Sequence, residues 1–115
     1  MDYKRGTRIV MDEEKIRREG IYDLEKIYED IDNIAEYAGL IKKNKYTYIC
    51  QGNERDLAAL GIFNFMNLVE EEWFTKNVKE WTWIDRKEGD TDLIESCKKS
   101  NEDPMGAIKI YEKGN

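Results

Sequence analysis

Between Tyr22 and Ala38 the apolar side chains Leu24, Ile27, Tyr28, Ile31, Ile34, Ala35 and Ala38 recur at steps of three and four residues. That spacing places them on one side of an α-helix. The opposite side carries Asp23, Glu25, Glu29, Asp30, Asp32 and Glu36 against Lys26 alone. A helix with a single apolar stripe must bury it against a second layer, so this segment by itself demands a packed domain. Asp23 and Glu25 suit the first turn, where the helix dipole favours anions. Gly39 suits the left-handed position just past the end.

The rest of the chain supplies the second layer. Thr7-Arg8-Ile9-Val10-Met11, Tyr46 to Cys50 and Lys79 to Asp85 are β-branched or aromatic and short, the pattern of strands. Asp12 is placed to cap a helical turn over Glu13 to Glu19 that Gly20 closes. Lys42 to Lys45 reads as a polar turn, and Asn53 as the cap of a helix from Glu54 to Val69 with apolar residues on more than one side. Trp73-Phe74 reads as a short helical turn. Arg86 to Asp90 reads as a turn, followed by a helix from Asp90 or Thr91 through Lys99. Ser100 to Pro104 is a breaker, and Ala107 to Tyr111 alternates like a last strand. The order predicts one α+β domain over 1–115, with 1–6 and 112–115 as candidate mobile ends. Its form would be a two-layer sandwich of about four strands with two to three helices on one face, a ferredoxin-like arrangement being one version.

Composition bounds the chemistry. There are 25 acidic and 19 basic side chains, no histidine and two cysteines, for a net charge of −6. An acidic balance disfavours direct binding to a phosphate backbone. The one basic region, Lys4, Arg5 and Arg8 with Arg17 and Arg18, is interleaved with Glu13, Glu14 and Glu19 and reads as a mixed solvated surface. No run of residues approaches the roughly 18 apolar positions of a membrane span or resembles a signal peptide core. Cys50 and Cys97 make no disulfide framework and read as reduced thiols, so a cytoplasmic location is expected.

Structural zinc takes four Cys or His ligands, which two cysteines and no histidine cannot provide. Asp90-Thr91-Asp92 lacks the glycine and glutamate that an EF-hand loop would place after it. No glycine pattern fits a phosphate loop. No metal or other cofactor is expected. Cys50 sits in an apolar strand pattern with no histidine to activate it, and Cys97 on the inner side of a helix reads as a small apolar residue. Glu54-Arg55-Asp56, at a loop-to-helix corner, is the most site-like carboxylate cluster, although capping explains it as well.

Two surfaces suit binding instead. Trp73, Phe74, Trp81 and Trp83 gather large aromatic area in a short stretch, and such residues are frequent interface anchors. Trp81 and Trp83 share one side of a strand, which is core if it faces the helices and a contact patch if it faces solvent. The second surface is the acidic helix face, with Glu29, Asp30, Asp32 and Glu36 as its centre. Such a row can imitate nucleic-acid phosphates toward a nucleic-acid-binding protein.

Arg5-Gly6-Thr7-Arg8-Ile9-Val10-Met11-Asp12-Glu13-Glu14-Lys15-Ile16, then Asn53-Glu54-Arg55-Asp56, then Trp73-Phe74 through Asn77-Val78 to Trp81-Thr82-Trp83, resemble small acidic proteins encoded on conjugative transposons and related mobile elements of Gram-positive gut bacteria. The resemblance covers about residues 5 to 85. It implies an accessory gene product of a mobile element, a class that often acts by binding host or element proteins, including as antagonists of defence systems. It carries over no functional residue. The expected function is a non-enzymatic protein-interaction module that inhibits or regulates a host or element protein, as monomer or homodimer. A small enzyme or small-molecule binder at Glu54 to Asp56 and a module self-associating through the Ala107–Tyr111 edge are the alternatives.

Overall fold

The computed structural model describes residues 3–102. Strand β1, Arg5–Met11, leads through the Asp12 cap into helix α1, Glu13–Glu19. The Asp12 carboxylate accepts from the Lys15 amide at 3.2 Å. Helix α2, Leu24–Ala38, follows and ends at Gly39 with φ of 94°, a left-handed conformation that a Cβ would oppose. Strands β2, Ile41–Lys42, and β3, Thr47–Ile49, form a hairpin. Helix α3, Asp56–Asn64, a 3₁₀ turn at Leu68–Glu70 and helix α4, Glu72–Thr75, lead to strand β4, Val78–Asp85. Strand β5, Thr91–Asp92, and helix α5, Leu93–Glu102, complete the described chain.

Among the described residues the sheet has five strands in the order β2-β3-β1-β4-β5, every pairing antiparallel. The α+β class is as expected, with a larger sheet than the four strands anticipated. Strands β1 and β2, joined through α1 and α2, run parallel with β3 between them, and β3 and β4, joined through α3 and α4, run parallel with β1 between them, which is the split β-α-β pattern of the ferredoxin-like version. The additions are β2 and β5, each two residues long and too short to show a period. They replace the start of the polar turn read at Lys42 and the helix start read at Asp90 or Thr91. Asp85 explains the second difference. Its carboxylate accepts from the Lys87 and Glu88 amides at 2.9 Å each, closing a tight turn that returns Thr91 and Asp92 to β4. Asp92 then caps α5, accepting from the Ile94 and Glu95 amides at 3.0 and 3.2 Å. That helix runs past Lys99 to Glu102, and the strand expected at Ala107–Tyr111 lies outside the described residues.

Alternation along the strands divides the sheet. Thr7, Ile9 and Met11 of β1, Tyr48 of β3, and Trp81 and Trp83 of β4 point to the helices, while Arg8, Val10, Glu80 and Thr82 take the other side. Ile27, Ile31 and Ala35 of α2, Leu60 and Phe63 of α3, and Phe74 of α4 pack over the first set in one continuous core. Gly6 allows β1 and β3 to meet closely: a Cβ there would lie 2.6 Å from the Tyr48 carbonyl oxygen.

Helix α3 is shorter than the expected Glu54–Val69 because its last residues are drawn inward and tied. Asn64 turns its amide into the core, donating to the Leu60 carbonyl at 3.1 Å. Asn67 donates to the Ile62 carbonyl at 2.7 Å, satisfying one of the open acceptors of a helix end. At the other end Arg55 holds the cap position without a side-chain bond, and Asn53 instead accepts from the Arg55 amide at 2.8 Å within the preceding turn.

Candidate functional site

Helical geometry splits the acidic face of α2 in two. Glu25, Glu29, Asp32 and Glu36, at steps of four, three and four, form one row, while Asp23 and Asp30 lie on another side. Asp30 is paired with Lys26 one turn earlier at 2.8 Å. Asp32 accepts from the Tyr48 hydroxyl through one oxygen and from Lys42 Nζ at 2.9 Å through the other. It thus fastens α2 to the β2–β3 hairpin. Burial, then the Asp32 carboxylate, push the Tyr48 hydroxyl well above its ordinary range, so it acts as a fixed donor and not as a base. These groups line a cleft of about 280 Å³ with Ala35, Glu36 and Leu40. Glu29 and Glu36 remain exposed. Two of the four carboxylates proposed as a phosphate-like row are therefore neutralised by lysines of this same chain.

The aromatic surface expected from the sequence is mostly interior. Phe74 is 0% and Trp81 3% exposed, so neither offers area to a partner. The common side of Trp81 and Trp83 is the helix-covered one. Phe74 meets Trp81 edge-on with centroids 5.0 Å apart. Trp81 donates its indole N–H to Asn64 Oδ1 at 2.8 Å, which satisfies the one polar atom of that side chain. Thr7 Oγ1 donates to the Thr82 carbonyl at 2.9 Å and lies 3.4 Å from the same Asn64 oxygen. Trp73 and Trp83 are half-buried, and Trp83 stacks on Phe65 at 5.8 Å.

The Glu54-Arg55-Asp56 corner is structural at its centre. Asp56 is buried, and its Oδ1 accepts from the amides of Gly52 and Asn53 at 3.0 Å each. Glu54 and Arg55 are exposed. Arg55 and Asp56 border an open cleft of about 280 Å³ with Tyr37, Gln51 and Ala59. Cys50 is buried beside this corner, its thiol pushed up to about 12 by desolvation and then by Asp56, which leaves no thiolate near neutral pH. Among the described residues no three Cys, Asp or Glu side chains are grouped to hold a metal ion, and no helix is long and apolar enough to cross a membrane.

The feature that sequence reasoning missed is the outer side of α3. Apolar residues on more than one side of this helix predict, from the sequence, that it is buried. Its inner side is, with Leu60, Phe63 and Asn64 at 0%. Its outer side is open, with Leu57 55% and Met66, just past its end, 69% exposed, Ala58 exposed, and Gly61 and Ile62 half-covered. The available signal was the repeat itself: 57, 58, 61, 62 and 66 share one helical stripe, and no charged residue interrupts it. A second missed group is a cleft of about 390 Å³ where Lys4 and Arg5 meet Asp85, Arg86 and Lys87, assembled by the Arg5–Asp85 strand register.

No family model matches the chain, and no curated protein matches it.

Proposed function

We propose that this chain is a non-enzymatic protein-binding module of the cytoplasm whose contact face is the outer stripe of α3. In the setting implied by the mobile-element resemblance, it would inhibit or regulate a host or element protein. The observation that carries the reading is an apolar helix with one side in water. Leu57, Ala58, Ile62 and Met66 leave apolar area exposed on a helix whose other side already fills the core. Gly61 sharpens it. A Cβ at Gly61 would meet nothing within 4 Å, so the fold itself has no need of glycine there. Glycine inside a helix costs about 1 kcal/mol relative to alanine. Its use is a flat spot on which another backbone can lie close. The partner this fits is an apolar helix face that crosses α3 at Gly61, between Leu57 and Met66.

The test is recovery of binding proteins from the native host by the full chain and by a Leu57→Asp/Met66→Asp variant. Both positions are exposed, so folding stability should stay within about 0.5 kcal/mol. Proteins recovered with the unaltered chain and lost with the variant support the reading. An unchanged set of recovered proteins overturns it. The acidic face is tested in parallel by charge reversal at Asp30, Asp32 and Glu36, where undiminished recovery removes it as a contact surface.

A further inference from the structure

Away from the α3 face, three segments meet around one ammonium group. Glu13, the first residue of α1, accepts from the Tyr28 hydroxyl of α2 at 2.8 Å and the Tyr46 hydroxyl before β3 at 3.1 Å, both through Oε2. The Met11 amide also donates to the Tyr28 oxygen, at 3.2 Å. These bonds fix the two rings at an interplanar angle of 57° with centroids 6.0 Å apart. Lys45 of the β2–β3 loop places Nζ over both rings, 5.4 Å from the Tyr28 centroid and 5.2 Å from the Tyr46 centroid. The same Nζ is 3.6 Å from Glu13 Oε2. Arg17 approaches the other Glu13 oxygen at 3.6 Å, and Arg8, on the far side of the sheet, lies 5.4 Å from the Tyr46 centroid.

Two tilted ring faces and a carboxylate are the elements that hold quaternary ammonium groups, through the negative ring faces and a nearby anion. The distances favour an alkylated cation over the lysine that is there. A C–N bond of about 1.5 Å and a carbon-to-ring contact of about 3.5–4.0 Å put the nitrogen of a methylated ammonium about 5.0–5.5 Å from each ring. The Lys45 nitrogen stands at that distance from both rings with no methyl groups between. At 3.6 Å its contact with Glu13 is beyond hydrogen-bond length and is an attraction between charges, which a cation without N–H would keep. Lys45 itself is 59% exposed and sits on a loop, so it can leave.

We propose that Tyr28, Tyr46 and Glu13 form a binding site for a methylated ammonium group, and that Lys45 is its tethered internal occupant. A free quaternary amine and a methylated lysine side chain share this chemistry. The test titrates the full chain and a Lys45→Ala variant with tetramethylammonium chloride against sodium chloride of equal ionic strength, following the tyrosine ring signals by NMR. The expected result is saturable shifts of Tyr28 and Tyr46, with half-saturation about tenfold lower in Lys45→Ala because the tethered competitor is gone. Glu13→Gln in that background should weaken binding severalfold while keeping both rings, and Tyr46→Leu should abolish it. Absence of saturable shifts in Lys45→Ala, or shifts that survive Tyr46→Leu in a variant that remains folded, overturns the proposal. A short peptide carrying trimethyl-lysine, added in a second arm, separates the sources: tighter binding than tetramethylammonium assigns a side chain, equal or weaker binding a free amine.

Discussion

Asn64 ties α3 to β4 inside the core. It accepts the Trp81 indole N–H at 2.8 Å and donates to the Leu60 carbonyl at 3.1 Å while fully buried. Asn64→Leu keeps the branched shape, with some added volume, but strands the indole donor, and a buried donor without a partner costs about 1–3 kcal/mol. A loss of about 2 kcal/mol in urea unfolding is expected, and pairing the change with Trp81→Phe should restore a measurable part of it, because the stranded group is then removed too. If the double variant loses the sum of the two single losses, the hydrogen bond is not the cause. Glu13 gives a second residue-scale prediction. Burial alone would raise its carboxyl, but the Tyr28 and Tyr46 hydroxyls and the charges of Lys45 and Arg17 outweigh it and hold the group below the usual carboxylate range. The unfolded chain therefore takes up a proton near pH 4.3, roughly the ordinary value, where the folded chain does not. The stability that Glu13 contributes is full above that pH and fades as pH falls through the folded value. Urea midpoints of the unaltered chain and Glu13→Gln, compared at neutral and at acid pH, should converge on acidification. A constant gap between them would show that the carboxylate charge contributes nothing.

At the scale of elements, glycines at two helices should respond oppositely to alanine. Gly61→Ala adds a methyl group into open space and should stabilise the chain by about 0.5–1 kcal/mol. Gly39→Ala forces a side chain into φ of 94° and should destabilise it by about 1 kcal/mol or more. Thermal melts of both variants settle the sign at each site. The elements were legible where a local signal exists. The stripe and caps of α2 lie within α2, and Asp12, Glu13 to Glu19 and Gly20 state the whole of α1 in nine residues. The length of α3 was not legible, because the inward turn of Asn64 depends on Trp81, 17 residues away. Nor were β2 and β5, which are strands only because a longer neighbour pairs with them. The surroundings of the candidate surfaces were not legible for the same reason. The acidic row is a matter of spacing, but the lysine that pairs with Asp32 and the hydroxyl that donates to it come from 10 and 16 residues further on. The outer side of α3 looked like core because composition shows how apolar a helix is and not how many of its sides are covered.

The whole molecule binds α1, α2 and the hairpin through tyrosine hydroxyls, and alkali should expose this. Burial first, then Glu13, raises the Tyr28 hydroxyl, as burial and Asp32 raise that of Tyr48. Both groups favour the folded state up to about pH 10, the ordinary tyrosine value, and above it the unfolded chain gains stability by ionising them. Absorbance near 295 nm should show Tyr28 and Tyr48 ionising only together with loss of the fold, whereas in denaturant all seven tyrosines should titrate as one class near pH 10. Early ionisation of every tyrosine in a chain that is still folded would contradict the burial described. The position of β1 in the sheet carries a further consequence, for synthesis. Strand β1 leaves the ribosome before the other strands of this sheet and occupies its centre, and its register with β4 runs from Arg5 with Asp85 to Met11 with Val78. Translation proceeds at about 5–20 residues per second. Strand β1 can join the hairpin after about residue 50, but one of its edges then waits seconds for β4 to be made. During that interval the nascent chain is an open sheet with a free template edge, the state most prone to pair with the wrong strand. A ribosome that stalls before residue 78 would release that open edge, so the fidelity of the fold depends on steady elongation through the segment from α3 to β4.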